Sequence, residues 1–267
     1  MPDADEWFDC HVHLGPSDSG ELYYGRLEGA EYLRLMEVAG IRRALAFPPL
    51  RYGGYREANA ALAEWCEGPG AGRIRPLARV GGRLPPVEAP YLWIARRWLR
   101  GFLLGRAPDF PENVALERFA GIKLLPLLDG LPSRAFFERV NEAGLPFLTH
   151  GGFLTSPRWI ARAILPRVRT KLVIAHLGAF PAQERLLHDA IELARREPKV
   201  YLDTSGIWPV AYLRQALAAV PGKILFGSDC PLTTPLAARR QLEAATDDAG
   251  LRRRVACEAA VEVFGSF

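Results

Sequence analysis

The chain has 267 residues, 49% of them hydrophobic, and a formal charge of +4. That length can bury one large core, and the hydrophobic share is that of a soluble globular protein. Arginines scattered among Asp and Glu form no continuous basic run, which argues against a nucleic-acid footprint, and no apolar stretch is long enough to span a bilayer.

The first apolar run, Trp7 to Leu14, carries Asp9-Cys10-His11-Val12-His13. On a strand, residues two apart share a face, so Asp9, His11 and His13 are expected on one side and Phe8, Cys10 and Val12 on the other. Two imidazoles at a strand's carboxyl end can hold a divalent metal. Alternation alone fits two ordinary strand histidines equally well. A helical pattern over 29–39 precedes a second strand at 41–47, and a helix at 56–67 precedes a third strand at 74–80. Residues 82–118 break the rhythm. Their aromatic and leucine face opposite Arg96, Arg97 and Arg100 predicts an amphipathic helix, packed on the body of the fold or serving as a lid or subunit contact, with a membrane-surface helix the least favoured reading. Strands then follow at 119–125, 145–150, 171–176, 199–204 and 223–229, with helical patterns at 132–143, 156–167, 182–196, 209–219 and 234–264. Eight strands alternating with helices predict one (β/α)8 TIM barrel spanning 1–267, with a helical insertion between strands 3 and 4. A doubly wound sheet is the structural alternative, but the first turn reads His13-Leu14-Gly15-Pro16 and lacks a glycine-rich fingerprint.

Active sites of such barrels form at the carboxyl ends of the strands. Four of the five histidines fall there: His11, His13, His150 and His176. Asp229 closes the last strand, and His188 lies within a helix. Three neutral imidazoles and a carboxylate around one ion leave room for water, as a catalytic site requires. Lys123 sits inside an apolar strand near its carboxyl end, whereas Lys171, Lys199 and Lys223 open strands at the opposite rim. Arg51 follows strand two and Arg79 lies near the end of strand three. Either can grip an anionic substrate group or serve in an ordinary salt bridge. Asp203, Thr204 and Ser205 can supply supporting hydrogen bonds, and Cys10 is expected to pack away from the ligands.

The ordered set Asp9-Cys10-His11-Val12-His13, Gly121-Ile122-Lys123-Leu124, Thr149-His150-Gly151-Gly152, Ala175-His176-Leu177-Gly178 and Gly227-Ser228-Asp229-Cys230-Pro231 resembles the amidohydrolase superfamily. The likeness is to its amidohydrolase-related branch of lactone hydrolases and aminocarboxymuconate semialdehyde decarboxylase-like enzymes. The chain departs from many relatives at Leu125, where His or Asn is common, and at Cys257-Glu258-Ala259, where Asn-Ala is common. The resemblance implies that His11, His13, His150 and Asp229 ligate one divalent metal, zinc first, with manganese, iron or cobalt also suited. It implies that Asp229 moves the proton of an activated water and that His176 acts on the substrate. Lys123 is expected to bind a substrate carboxylate or pair with an inner acid. A carbamylated Lys123 bridging a second metal is the alternative.

The expected activity is hydrolysis of a small lactone, ester or amide, with non-oxidative decarboxylation of an unsaturated or aromatic acid as the alternative. A TatD-like phosphodiesterase or DNase fits less well, because Gly-Ile-Lys-Leu-Leu stands where that group carries a Glu. A non-catalytic metal-binding protein fits least. The expected partner is a small-molecule substrate, with no nucleic acid or membrane and with a possible homodimer. Four separated cysteines and no signal-like N-terminus point to the cytoplasm.

Overall fold

The computed structural model describes residues 6–16, 26–51, 54–82, 103, 112–153 and 155–266. The expected amphipathic helix of the 82–118 segment falls largely outside them. Its described end holds one 3-10 turn, Leu116–Arg118.

Among the described residues nine parallel strands follow in chain order: β1 (Trp7–His13), β2 (Ile41–Phe47), β3 (Ile74–Pro76), β4 (Ala78–Val80), β5 (Ile122–Leu124), β6 (Phe147–Thr149), β7 (Leu172–Ile174), β8 (Val200–Asp203) and β9 (Ile224–Leu225). They form a three-stranded sheet, β1-β2-β3, and a six-stranded sheet, β4 through β9. The expected third strand is split into β3 and β4 at Leu77. There the backbone changes partner: Leu77 N–H donates to Ala46 (2.7 Å) and Ala78 N–H to Gly121 (3.0 Å). At the other seam the chain after β9 runs along β1. Cys10 N–H donates to Phe226, Asp229 N–H to His11 and His13 N–H to Cys230, all at 2.8–2.9 Å. The expected last strand is regular only over Ile224–Leu225, because the next three N–H groups leave the ladder: Phe226 donates to the Val255 carbonyl (2.9 Å), Gly227 to the Thr204 hydroxyl (3.1 Å) and Ser228 to the Asp9 carboxylate (2.8 Å).

Helices α1 (Gly29–Ala39) and α2 (Tyr55–Glu67) follow β1 and β2. Several later helices begin where the sequence supplies a cap. Ser133, Ser156 and Thr234 each accept a backbone N–H three residues on, and Pro157 and Pro235 occupy first-turn positions where no donor is needed. Among the described residues no helix is long and apolar enough to cross a membrane.

The core lies in two layers. Phe8, Leu45, Leu77, Leu148, Val173 and Leu225 pack together inside the ring of strands. Their neighbours in sequence, such as Ala44, Ala46, Leu172 and Ile174, pack in the outer layer with apolar helix residues. One expectation is corrected here. The β1–β2 register shifts between Asp9 and Val12, so the side-chain alternation slips by one residue. Cys10 joins the inner cluster together with Phe8, while Asp9 turns to Tyr32 of α1, whose hydroxyl donates to it at 2.8 Å. Asp9, His11 and His13 therefore do not share a face. The bulge lets His11 and His13 both reach the interior while Val12 packs outward.

Candidate metal centre and active site

His11 and His13 end β1, and Asp229 meets them from the turn after β9. One ligand atom from each lies within 4.8 Å of the other two, and all three residues are buried. Asp229 Oδ1 is 3.1 Å from His13 Nε2 and 3.5 Å from His11 Nε2. A carboxylate oxygen and two imidazole nitrogens converging this closely need a proton or a cation among them, so the donor set fits a divalent metal.

The other candidates divide. His150, after β6, places Nδ1 3.1 Å from His176 Nε2. It stands beside His176 and outside the tight group of three. His176 follows β7 with φ 60°, and its Nδ1 faces Asp229 Oδ2 at 3.7 Å. Two left-handed non-glycine residues in one site, His176 and Asp229, are backbone strain held where it positions functional groups. Lys123 Nζ lies 3.3 Å from His11 Nε2 and 4.4 Å from the centre of the Phe47 ring.

Both arginines already have partners within the chain, and Arg79 lies across from Lys123 in the β4–β5 register. Arg79 is buried and donates through Nε to Asp129 (2.8 Å) and through a terminal nitrogen to the Pro48 carbonyl (3.1 Å), over the Tyr55 ring. Of the two roles open to Arg79, the structure shows the salt bridge, made with Asp129. Arg51 reaches the Pro16 carbonyl (3.3 Å) and lines a cavity of 340 Å³ with Leu14, Pro48, Glu57 and Trp65, which no histidine borders. The sequence reading missed Asp129. Its signal was a lone carboxylate inside the apolar run Leu124 to Leu131, which calls for a buried cation.

Burial dominates the electrostatics. It pushes His11, His13 and His150 well below the ordinary histidine range, with Lys123 and the neighbouring imidazoles adding to the shift. Burial takes His176 down to about 4 against the pull of Asp203. It lowers Lys123 to about 8, opposed by Asp203 and Asp229, and raises Asp9 to about 6 despite its hydrogen bonds. Neutral imidazoles are the form that binds metal.

A pH dependence follows for the metal-free protein. The unfolded chain protonates histidine near pH ~6.5, before the folded state does, so stability falls as pH drops from that value towards the folded pKa values. Asp9 acts in the opposite sense, because the folded state takes its proton first, between about 6 and 3.8. Four imidazoles outweigh one carboxylate. Urea midpoints of metal-free protein are expected to fall between pH ~7 and ~5, and a flat or rising profile would contradict the buried neutral state.

The amidohydrolase family model matches residues 8–266. The chain belongs to the amidohydrolase family. Nothing matches among curated protein sequences. Solved structures similar to this amidohydrolase include a probable 2-pyrone-4,6-dicarboxylic acid hydrolase from Acinetobacter baumannii with citric acid bound, at 15% identity and TM-score 0.66, covering 97% of this chain and 99% of that one. An amidohydrolase from Burkholderia multivorans with bound zinc aligns at 17% identity and TM-score 0.65, covering 98% and 99%. The 2,6-dihydroxybenzoate decarboxylase from Rhizobium aligns at 15% and 0.60, covering 97% and 98%. At such identities the likeness is one of fold. It agrees with the expected barrel, and membership makes this chain an enzyme of a metal-dependent family.

Proposed function

We propose that His11, His13 and Asp229, joined by His150, hold one divalent ion, zinc first, in a hydrolase acting on a small carbonyl compound. The observation that carries this reading is the buried convergence of two imidazoles and one carboxylate within 4.8 Å. When bound, the ion supplies a water of lowered pKa, ~7 for zinc, and polarises a carbonyl. The chain's own groups do the rest. Asp229 presents Oδ1 to the ligand group and Oδ2 to His176, a placement suited to taking up a proton and passing it on. Lys123 supplies buried positive charge beside His11 for a substrate carboxylate.

The rim suits a flat substrate. Phe180 lies 5.1 Å from the His176 ring, 5.9 Å from His150 and 6.2 Å from Trp208, centre to centre. Trp208 is 49% exposed. Aromatic faces beside the histidines favour stacking on a planar ring. Together with the pyrone and dihydroxybenzoate named for the similar structures, this favours an unsaturated ring bearing a carboxylate. Decarboxylation of such an acid is the second reading, favoured by the cation at the floor of the site. The substrate is the only partner this reading requires. The four buried free cysteines suit a reducing cytoplasm.

A panel of cyclic esters, amides and aromatic acids separates the readings. Product carrying oxygen from labelled water supports hydrolysis, and carbon dioxide release without such incorporation supports decarboxylation. Cleavage of DNA that copurifies with the protein would overturn both. His176→Asn is expected to keep the metal, because Asn tolerates the left-handed backbone, and to lower kcat ~10²-fold or more. Loss of the ion in that variant, read by elemental analysis, would place His176 among the ligands.

A further inference from the structure

Asp203, at the carboxyl end of β8, reaches two histidines that lie on different strand ends. Its Oδ2 is 2.8 Å from His11 Nδ1. Its Oδ1 accepts from the backbone N–H of His176 (3.0 Å), from the backbone N–H of Ser205 (2.9 Å) and from the Ser205 hydroxyl. Ser205 Oγ in turn stands 3.0 Å from Nδ1 of both His11 and His176, and the Ser205 carbonyl is 2.9 Å from His176 Nδ1. Asp203 and Ser205 are fully buried.

The reach across the next strand depends on Gly227. A Cβ there would lie 2.9 Å from His11 Cβ, 3.3 Å from Ser205 Cβ and 3.6 Å from Asp203 Cγ. Gly206 makes room in the same way, since a Cβ on it would lie 2.7 Å from Asp229 Oδ2 and 3.1 Å from His176 Nδ1.

A carboxylate and a carbonyl only accept hydrogen bonds. The Asp203 oxygen therefore requires the proton of neutral His11 on Nδ1, and the Ser205 carbonyl requires the same of His176. The Ser205 hydroxyl gives its single proton to Asp203 and keeps its lone pairs for the two Nδ1–H groups, so every donor in the cluster finds an acceptor. The opposite tautomer of His11 would set a nitrogen lone pair against a carboxylate oxygen at 2.8 Å. With the proton on Nδ1, the lone pair of His11 lies on Nε2, which faces Asp229 Oδ1 at 3.5 Å.

We propose that Asp203 is a positioning residue that holds His11 and, through Ser205, His176 in the Nδ1–H tautomer, so that each turns its Nε2 lone pair to the active site. Its consequence for metal binding rests on the ligand assignment proposed above. Its consequence for the tautomers does not.

The test is two-bond proton–nitrogen correlation NMR on metal-free protein with nitrogen-15 histidine, at about pH 8, where neutral rings are expected. His11 and His176, assigned by single replacement of each histidine, are expected to show a protonated Nδ1 and an unprotonated Nε2. A wild-type His11 with its proton on Nε2 overturns the proposal without any variant of Asp203. In Asp203→Asn the amide turns its NH2 towards His11 to spare the donors of His176 and Ser205, so His11 is expected to shift to Nε2–H. Affinity for zinc, read by competition with a chelator, should then fall ~10–100-fold. A folded Asp203→Asn protein with unchanged His11 signals and unchanged affinity also overturns it. If the wild type binds no metal, the ligand assignment fails, and the wild-type NMR still decides the tautomers.

Discussion

Asp229→Asn is expected to strip the protein of tightly held metal and to lower turnover by ~10²–10⁴-fold. The substitution keeps the volume of the side chain. It also keeps the backbone, since φ 64° is a conformation Asn adopts readily. What it removes is the charge. Asp229 Oδ1 is the only anionic member of the group it forms with His11 and His13. An amide there supplies a neutral oxygen or a donor that opposes a cation, and it has no basic oxygen to receive a proton. The readouts are metal content after desalting, by elemental analysis, and steady-state rates at saturating metal. Metal retention equal to wild type with turnover within ~10-fold would remove Asp229 from both roles. His13→Ala, which deletes a proposed ligand and leaves the carboxylate, should lose metal in the same assay.

The second large effect concerns stability. Asp129→Ala is expected to cost ~3–5 kcal/mol, because it strands the Arg79 guanidinium in the interior. The pair is bonded at 2.8 Å, with side chains 1% and 0% exposed. Asp129 also accepts from the Tyr55 hydroxyl at 3.2 Å, and that hydroxyl receives the backbone N–H of Arg51 at 3.0 Å. The loss should therefore loosen the turn after β2 together with the core. Asn59 braces Arg79 from behind through paired bonds to its backbone N–H and carbonyl, both at 2.9 Å. Denaturant unfolding measures the cost. Replacing both partners, as in Arg79→Met with Asp129→Leu, should recover most of it, since no charge is then buried alone. A single Asp129→Ala change within ~1 kcal/mol of wild type would mean that Arg79 finds water or another acceptor.

The residues that the sequence marked out are mostly those near the site, for a physical reason. A barrel places polar groups at strand tips, so a polar residue at the end of an apolar run is a local pattern readable without coordinates. His11, His13, His150, His176 and Asp229 were all legible in that way. The partner of Arg79 was not, because a strand-end arginine looks the same whether it awaits a ligand or pairs with a carboxylate fifty positions further along the chain. The phase of β1 differs from the expected one at Phe8, Asp9 and Cys10, because period-2 alternation assumes an unbroken ladder and the bulge breaks it.

The sequence by itself determined the succession of strands and helices, the presence of an interior apolar face, and the set of side chains from which a metal centre can be built. These follow from periodicity and capping, which act over a few residues. Only the tertiary structure decided which of those side chains meet. The contact of His11 with Asp203 joins positions 192 residues apart. It exists because β1 follows β9 around the ring and Gly227 leaves the space between them open. Such contacts depend on the closure of the whole chain, and no local pattern carries them.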